Sequence, residues 1–81
     1  MKVRIDGVQT VRIKGEYIKL DSLLKFASIA STGGEAKYLI QNGEVYVDKS
    51  ICTARGKKIS QGNIIRCGER VILVKQEKYN A

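Results

Sequence analysis

The 81 residues include no histidine, no tryptophan and no proline, and only two cysteines. Without histidine the chain lacks the side chain most used as a general base near neutral pH, and a zinc site built within one chain lacks its ligands. No serine-centred or cysteine-centred motif replaces it, so acid–base chemistry would fall to carboxylates and lysines. Asp21, Glu35, Glu44 and Asp48 each stand near a helix start or a turn, where backbone amides give them a structural reason to be there. Neither an enzyme nor a bound cofactor is expected. Two cysteines are too few for a disulfide-rich scaffold, and Cys52 and Cys67 are read as reduced thiols packed in the core or on strands. No apolar run approaches the ~20 residues of a membrane span, and no signal-like apolar stretch opens the chain. A cytoplasmic protein without membrane contact is expected.

What the chain does have is a globular composition and a surplus of positive charge. Apolar residues make up 43% and charged residues 28%, enough to fold and too apolar for disorder. This length allows one small domain that buries roughly 60–65% of its unfolded surface, so a deep substrate cavity is not expected. Fifteen Lys and Arg against eight Asp and Glu give +7. The surplus is uneven: residues 1–19 carry +3, residues 20–50 carry −1 and residues 51–81 carry +5. A field of that sign attracts polyanions such as nucleic acid, an anionic membrane face or an acidic protein partner.

Apolar and polar residues alternate through Thr10 to Lys14 and again through Tyr17 to Leu20, the period of half-buried strands, with Gly7 and Gly15 interrupting them. Residues 1–16 read as a strand lead-in, frayed over 1–9. Leu20, Leu23, Leu24 and Ala27 then share one face of a first helix, with Asp21 or Ser22 to cap it and Phe26 at the core or its edge. Thr32-Gly33-Gly34-Glu35 has the spacing of a capping box and opens a second helix of about ten residues, whose apolar stripe is Ala36, Leu39 and Ile40 and whose stop is Gly43. Strands return at Glu44–Asp48 and Ser50–Thr53 around a tight turn at Asp48-Lys49. Residues 54–63 read as a polar loop, residues 64–74 as a hairpin turning at Gly68-Glu69, and the rest as a charged tail.

Three ordered stretches carry a resemblance: Leu20-Asp21, Ser31-Thr32-Gly33-Gly34-Glu35-Ala36-Lys37, and Leu39-Ile40-Gln41-Asn42-Gly43-Glu44-Val45-Tyr46-Val47-Asp48. It continues through Thr53-Ala54-Arg55-Gly56-Lys57-Lys58-Ile59 and Gln61-Gly62-Asn63. Over residues 17–75 the chain resembles the RNA-binding domain named after ribosomal small-subunit protein S-four, and more narrowly its stand-alone bacterial YaaA/YbcJ-type members. The resemblance implies an α+β fold called the αL motif: two short antiparallel helices packed on a small, curved, mostly antiparallel sheet of four to five strands. It also implies a basic face for structured RNA. In relatives joined to pseudouridine synthases or tyrosyl-tRNA synthetases the module positions RNA while another domain does chemistry.

The candidate RNA contacts are Lys19, Thr32, Gly33, Gly34, Lys37, Arg55, Lys57 and Lys58. Thr32, Gly33 and Gly34 offer unpaired helix-start amides to one phosphate, provided the Glu35 carboxylate is turned back. Arg55, Lys57 and Lys58 put three cations in four residues without an acidic neighbour, and the Arg55 fork suits two phosphate oxygens. If both helix starts and this loop converge, as the resemblance implies, five cations span several phosphates. Tyr38 and Tyr46 remain open between packing and base stacking, and no platform of neighbouring aromatics is evident. The expected partner is structured RNA, ribosomal RNA or a ribosomal subunit, bound by a monomer. The alternatives are an adaptor whose basic face docks on an acidic protein and, less well matched because helix two offers little beyond Lys37 and Gln41 for reading bases, a binder of duplex DNA.

Overall fold

The alternating segments become strands and the 3.6-period segments become helices. The computed structural model, which describes residues 8–77, runs in the order β1 (Val8–Ile13), β2 (Ile18–Lys19), α1 (Leu20–Phe26), α2 (Gly33–Gln41), β3 (Val45–Val47), β4 (Ser50–Ile51), β5 (Lys58–Ile59), β6 (Ile64–Cys67) and β7 (Arg70–Gln76). Five strands form one sheet in the order β1-β7-β6-β3-β4, and β2 pairs with β5 in a separate antiparallel ribbon. Within the larger sheet only β1 and β7 run parallel. The fold is therefore the α+β arrangement expected, two helices on a mostly antiparallel five-stranded sheet.

Register explains which face the helices cover. Val11 pairs with Val74, Ile65 with Ile72, and Val47 with Ile65, so side chains two apart on each strand line one surface. That surface is buried, and it meets Leu20, Leu23, Leu24 and Ala27 of the first helical segment and Ala36 and Ile40 of α2 in a single core. Removing one of the wholly buried leucines, for example Leu24→Ala, costs about 2–5 kcal/mol because little can collapse into the gap. Arg70 fastens the helix layer to the sheet: its Nη2 donates to the Ala27 carbonyl at the end of α1 and to Gln9 Oε1 on β1, both at 2.9 Å.

Asp48 and Lys49 both take the left-handed backbone region (φ 50° and 79°), which makes the β3–β4 connection a type I′ turn. The Asp48 carboxylate locks it by accepting from the Ile64 amide at 2.9 Å and from Asn63 Nδ2. Gly43 (φ 76°) ends α2 as its spacing predicts.

Several expectations need correcting. The α1 cap is Lys19, in extended backbone and without a side-chain cap bond, so neither Asp21 nor Ser22 caps the helix. Residues 54–63 are not wholly loop, since Lys58 and Ile59 form β5, and Ile59 is fully buried. Phe26 is not core: it is 66% exposed. The lead-in is an edge strand of the main sheet, and Val8 and Gln9 lie within it; the rest of the expected fraying, over residues 1–7, lies outside the described residues. Lys75 and Gln76 belong to β7 and the Glu77 amide donates to the Ile13 carbonyl, while residues 78–81 of the expected tail are likewise outside.

Candidate nucleic-acid interface

The β2–β5 ribbon sets two lysines directly opposite each other. Ile18 faces Ile59 and, one residue on, Lys19 faces Lys58. Ile59 points into the core, so the two lysines share the opposite, outward surface. Like charges directly opposite on paired strands repel, at a cost of a few tenths to about 1 kcal/mol. The Lys58 ammonium is partly compensated by the Tyr17 ring, 4.8 Å from its centre, whereas Lys19 has no partner of opposite charge among the described residues.

The connection leading into β5 is held against the start of α1. The Leu20 amide donates to the Lys57 carbonyl at 2.9 Å and the Asp21 amide to the Arg55 carbonyl at 3.1 Å. These bonds bring Arg55 and Lys57 beside Lys19 and Lys58. They also occupy the first two amides of α1, so that helix start has none of them left for a phosphate. The Arg55 segment does have an acidic neighbour, contrary to the sequence reading: Asp21 Oδ2 accepts from Arg55 Nε at 3.2 Å. This ion pair steers the guanidinium, and its other four N–H donors have no partner among the described residues.

The start of α2 is arranged differently. Thr32 Oγ1 accepts from the Glu35 amide at 3.0 Å, and Glu35 Oε1 accepts from the Ser31 amide at 2.7 Å. The carboxylate is thus folded back onto the preceding chain. Among the described residues the amides of Gly33 and Gly34 find no acceptor. Nothing lies within 4 Å of where a Gly33 side chain would begin, and only Thr32 Oγ1, at 3.9 Å, approaches that point at Gly34. Lys37 lies exposed one turn further along. Helix α2 packs on α1, but no hydrogen bond ties its start to the Arg55–Lys58 connection among the described residues. Backbone bonds thus hold Arg55 and Lys57 beside Lys19 and Lys58, while Thr32, Gly33, Gly34 and Lys37 stand at the start of the neighbouring helix α2.

The aromatic residues sort unevenly. Tyr46 is half-buried with the Arg66 guanidinium 4.6 Å from its ring centre, which leaves it packed on that side. Tyr38 is exposed on α2. Tyr17 is 46% exposed and carries the Lys58 ammonium 4.8 Å from its ring centre, so it is attached to the cationic ribbon. Tyr17, on an alternating strand, and Phe26, expected at the core or its edge, are not among the RNA contacts expected from the sequence.

Comparison with known proteins follows the same lines. The family model described as the S4 domain matches residues 11–75. The chain is similar to the probable ribosome maturation protein RlbA of Bacillus subtilis (strain 168), at 33% identity over 55 residues that cover 68% of this chain and 78% of that protein. It is also similar to the solution structure of a tyrosyl-tRNA synthetase C-terminal domain, with a TM-score of 0.68 at 24% identity, over 85% of this chain and 78% of that one. At that identity the likeness is one of fold.

Proposed function

The chain belongs to the S4 domain family, and from that premise we propose that it is a non-catalytic module binding structured RNA, in particular ribosomal RNA or a ribosomal subunit, through its phosphates. The observation that carries the reading is the Lys19–Lys58 pair with Arg55 and Lys57 fastened beside it. A similarity to a ribosome maturation protein favours a ribosomal target. The cations supply sequence-independent attraction, and the Gly33 and Gly34 amides add a second, directional anion contact. Contacts of this kind read the shape and phosphate spacing of folded RNA rather than the edges of its bases.

Affinity for a structured ribosomal RNA fragment, measured at several salt concentrations, tests the proposal. Each phosphate neutralised contributes about −0.7 to −0.9 to the slope of log K against log salt. The triple variant R55A/K57A/K58A is expected to stay folded, bind several-fold more weakly and lose about 2 to 3 from the slope. Binding indifferent to salt, or a folded triple variant with unchanged affinity, refutes the assignment. Capture of a protein partner that survives nuclease treatment would favour the adaptor instead.

A further inference from the structure

A groove of about 430 Å³ lies where the ends of β1 and β7 meet the start of β2 and the end of α1. Its walls include Tyr17, Ile18 and Phe26, with Arg12, Lys14 and Glu77 around them. That volume falls in the range of small-ligand sites, roughly 300–1,000 Å³. Phe26 gains little from the core, being 66% exposed, and Tyr17 stands 46% exposed on the same groove. Single exposed aromatics are ordinary on a protein surface; here two of them line the same groove, each with part of its surface open to solvent.

We infer that this groove receives one unpaired nucleobase of the RNA whose phosphates lie on the β2–β5 ribbon. The inference rests on the RNA-binding reading and extends it from backbone to base. Three features select this occupant. Lys58 belongs to the cationic ribbon and also lies over Tyr17, so groove and ribbon are one continuous surface. Arg12 and Lys14 make the rim cationic, which suits a strand carrying phosphates on either side of the inserted base. Aromatic faces hold unstacked bases irrespective of their identity, and Glu77 supplies an acceptor for the exocyclic amino group of A, C or G.

The test uses the full chain and three versions of one RNA hairpin: fully paired, with a single unpaired 2-aminopurine in the stem, and with an abasic position in its place. The wild-type protein is expected to quench the 2-aminopurine fluorescence and to bind the bulged hairpin about fivefold or more tightly than the abasic one. F26A should abolish both effects while leaving affinity for the paired hairpin and its salt dependence unchanged, and F26W should retain them. Phe26 is exposed, so neither substitution threatens the core. Absent quenching, equal binding of bulged and abasic hairpins, or an F26A variant with undiminished preference overturns the inference and leaves the groove to a protein segment. If the wild type binds none of the hairpins, or binds them indifferently to salt, the wider RNA-binding reading has failed as well.

Discussion

Lys19 sits where the fold alone would favour another residue, and the proposed RNA contact gives it a purpose. It caps α1 without a side-chain bond and opposes Lys58 across the ribbon. Lys19→Thr removes the repulsion, suits a strand position and supplies a cap oxygen, so stability should rise by about 1 kcal/mol at low salt. Part of the gain should fade as salt screens the lysines, and RNA affinity should fall. Thermal melts at two salt concentrations beside a binding titration check both signs. Cys67 carries a prediction of another kind. Burial pushes its thiol above the ordinary 9.0, Glu44 adds to the rise and Arg70 opposes it. The folded pKa thus exceeds the unfolded one, so the contribution is complete below the unfolded value and is lost as pH climbs through the folded one. Melting temperatures from pH 7 to 10 should fall more for the wild type than for C67A. At neutral pH a thiol reagent should label half-buried Cys52 before Cys67. Phe26 was misread because its apolar character outweighed its place: at 100° per residue it lies about 110° from the middle of the Leu20, Leu23, Leu24 and Ala27 stripe. Its exposure was legible in that spacing.

Helix α2 was legible almost completely, because its start, stripe and stop are local signals. Thr32, Glu35 and Gly43 act within a few residues of themselves. Strand β5 was not, since two residues, one exposed and one buried, set no period and their partner in β2 is distant in sequence. The same distance hid the Asp21–Arg55 ion pair, which exists only once the connection docks on α1. The glycines at the α2 start allow stability and binding to be separated. Neither has positive φ and both face open space, so alanine fits there without strain. Gly34→Ala should stabilise the protein by about 0.5–1 kcal/mol by restricting the unfolded chain. If Gly33 and Gly34 leave room for a phosphate, G33A/G34A should bind structured RNA more weakly while melting at a higher temperature. A rise in stability with unchanged affinity would confine the interface to the β2–β5 ribbon.

At the scale of the whole molecule, the two ends of the described chain depend on each other. Strand β1 lies parallel to β7 over six residue pairs, from Val8 and Val71 to Ile13 and Gln76, and closes one edge of the sheet. Parallel pairing between distant segments leaves no trace in local periodicity, which is why the first 16 residues read as a lead-in to a domain beginning at Tyr17. Val11 and Ile13 are 3% and 6% exposed, and they cover Val74 and its neighbours in the core. Burying side chains of this size is worth roughly 1.5–3 kcal/mol each. A small domain of this length has about 4–12 kcal/mol in all, so losing both removes a large part of it. A chain starting at Tyr17 should therefore lack the cooperative urea transition of the full chain. A cooperative transition in the shorter chain would make β1 an accessory strand and return the domain boundary to residue 17. The proposed groove shares Arg12 and Ile13 with this strand, so a shorter chain that did fold cooperatively would keep the β2–β5 ribbon and lose one groove wall, separating the two proposed contacts.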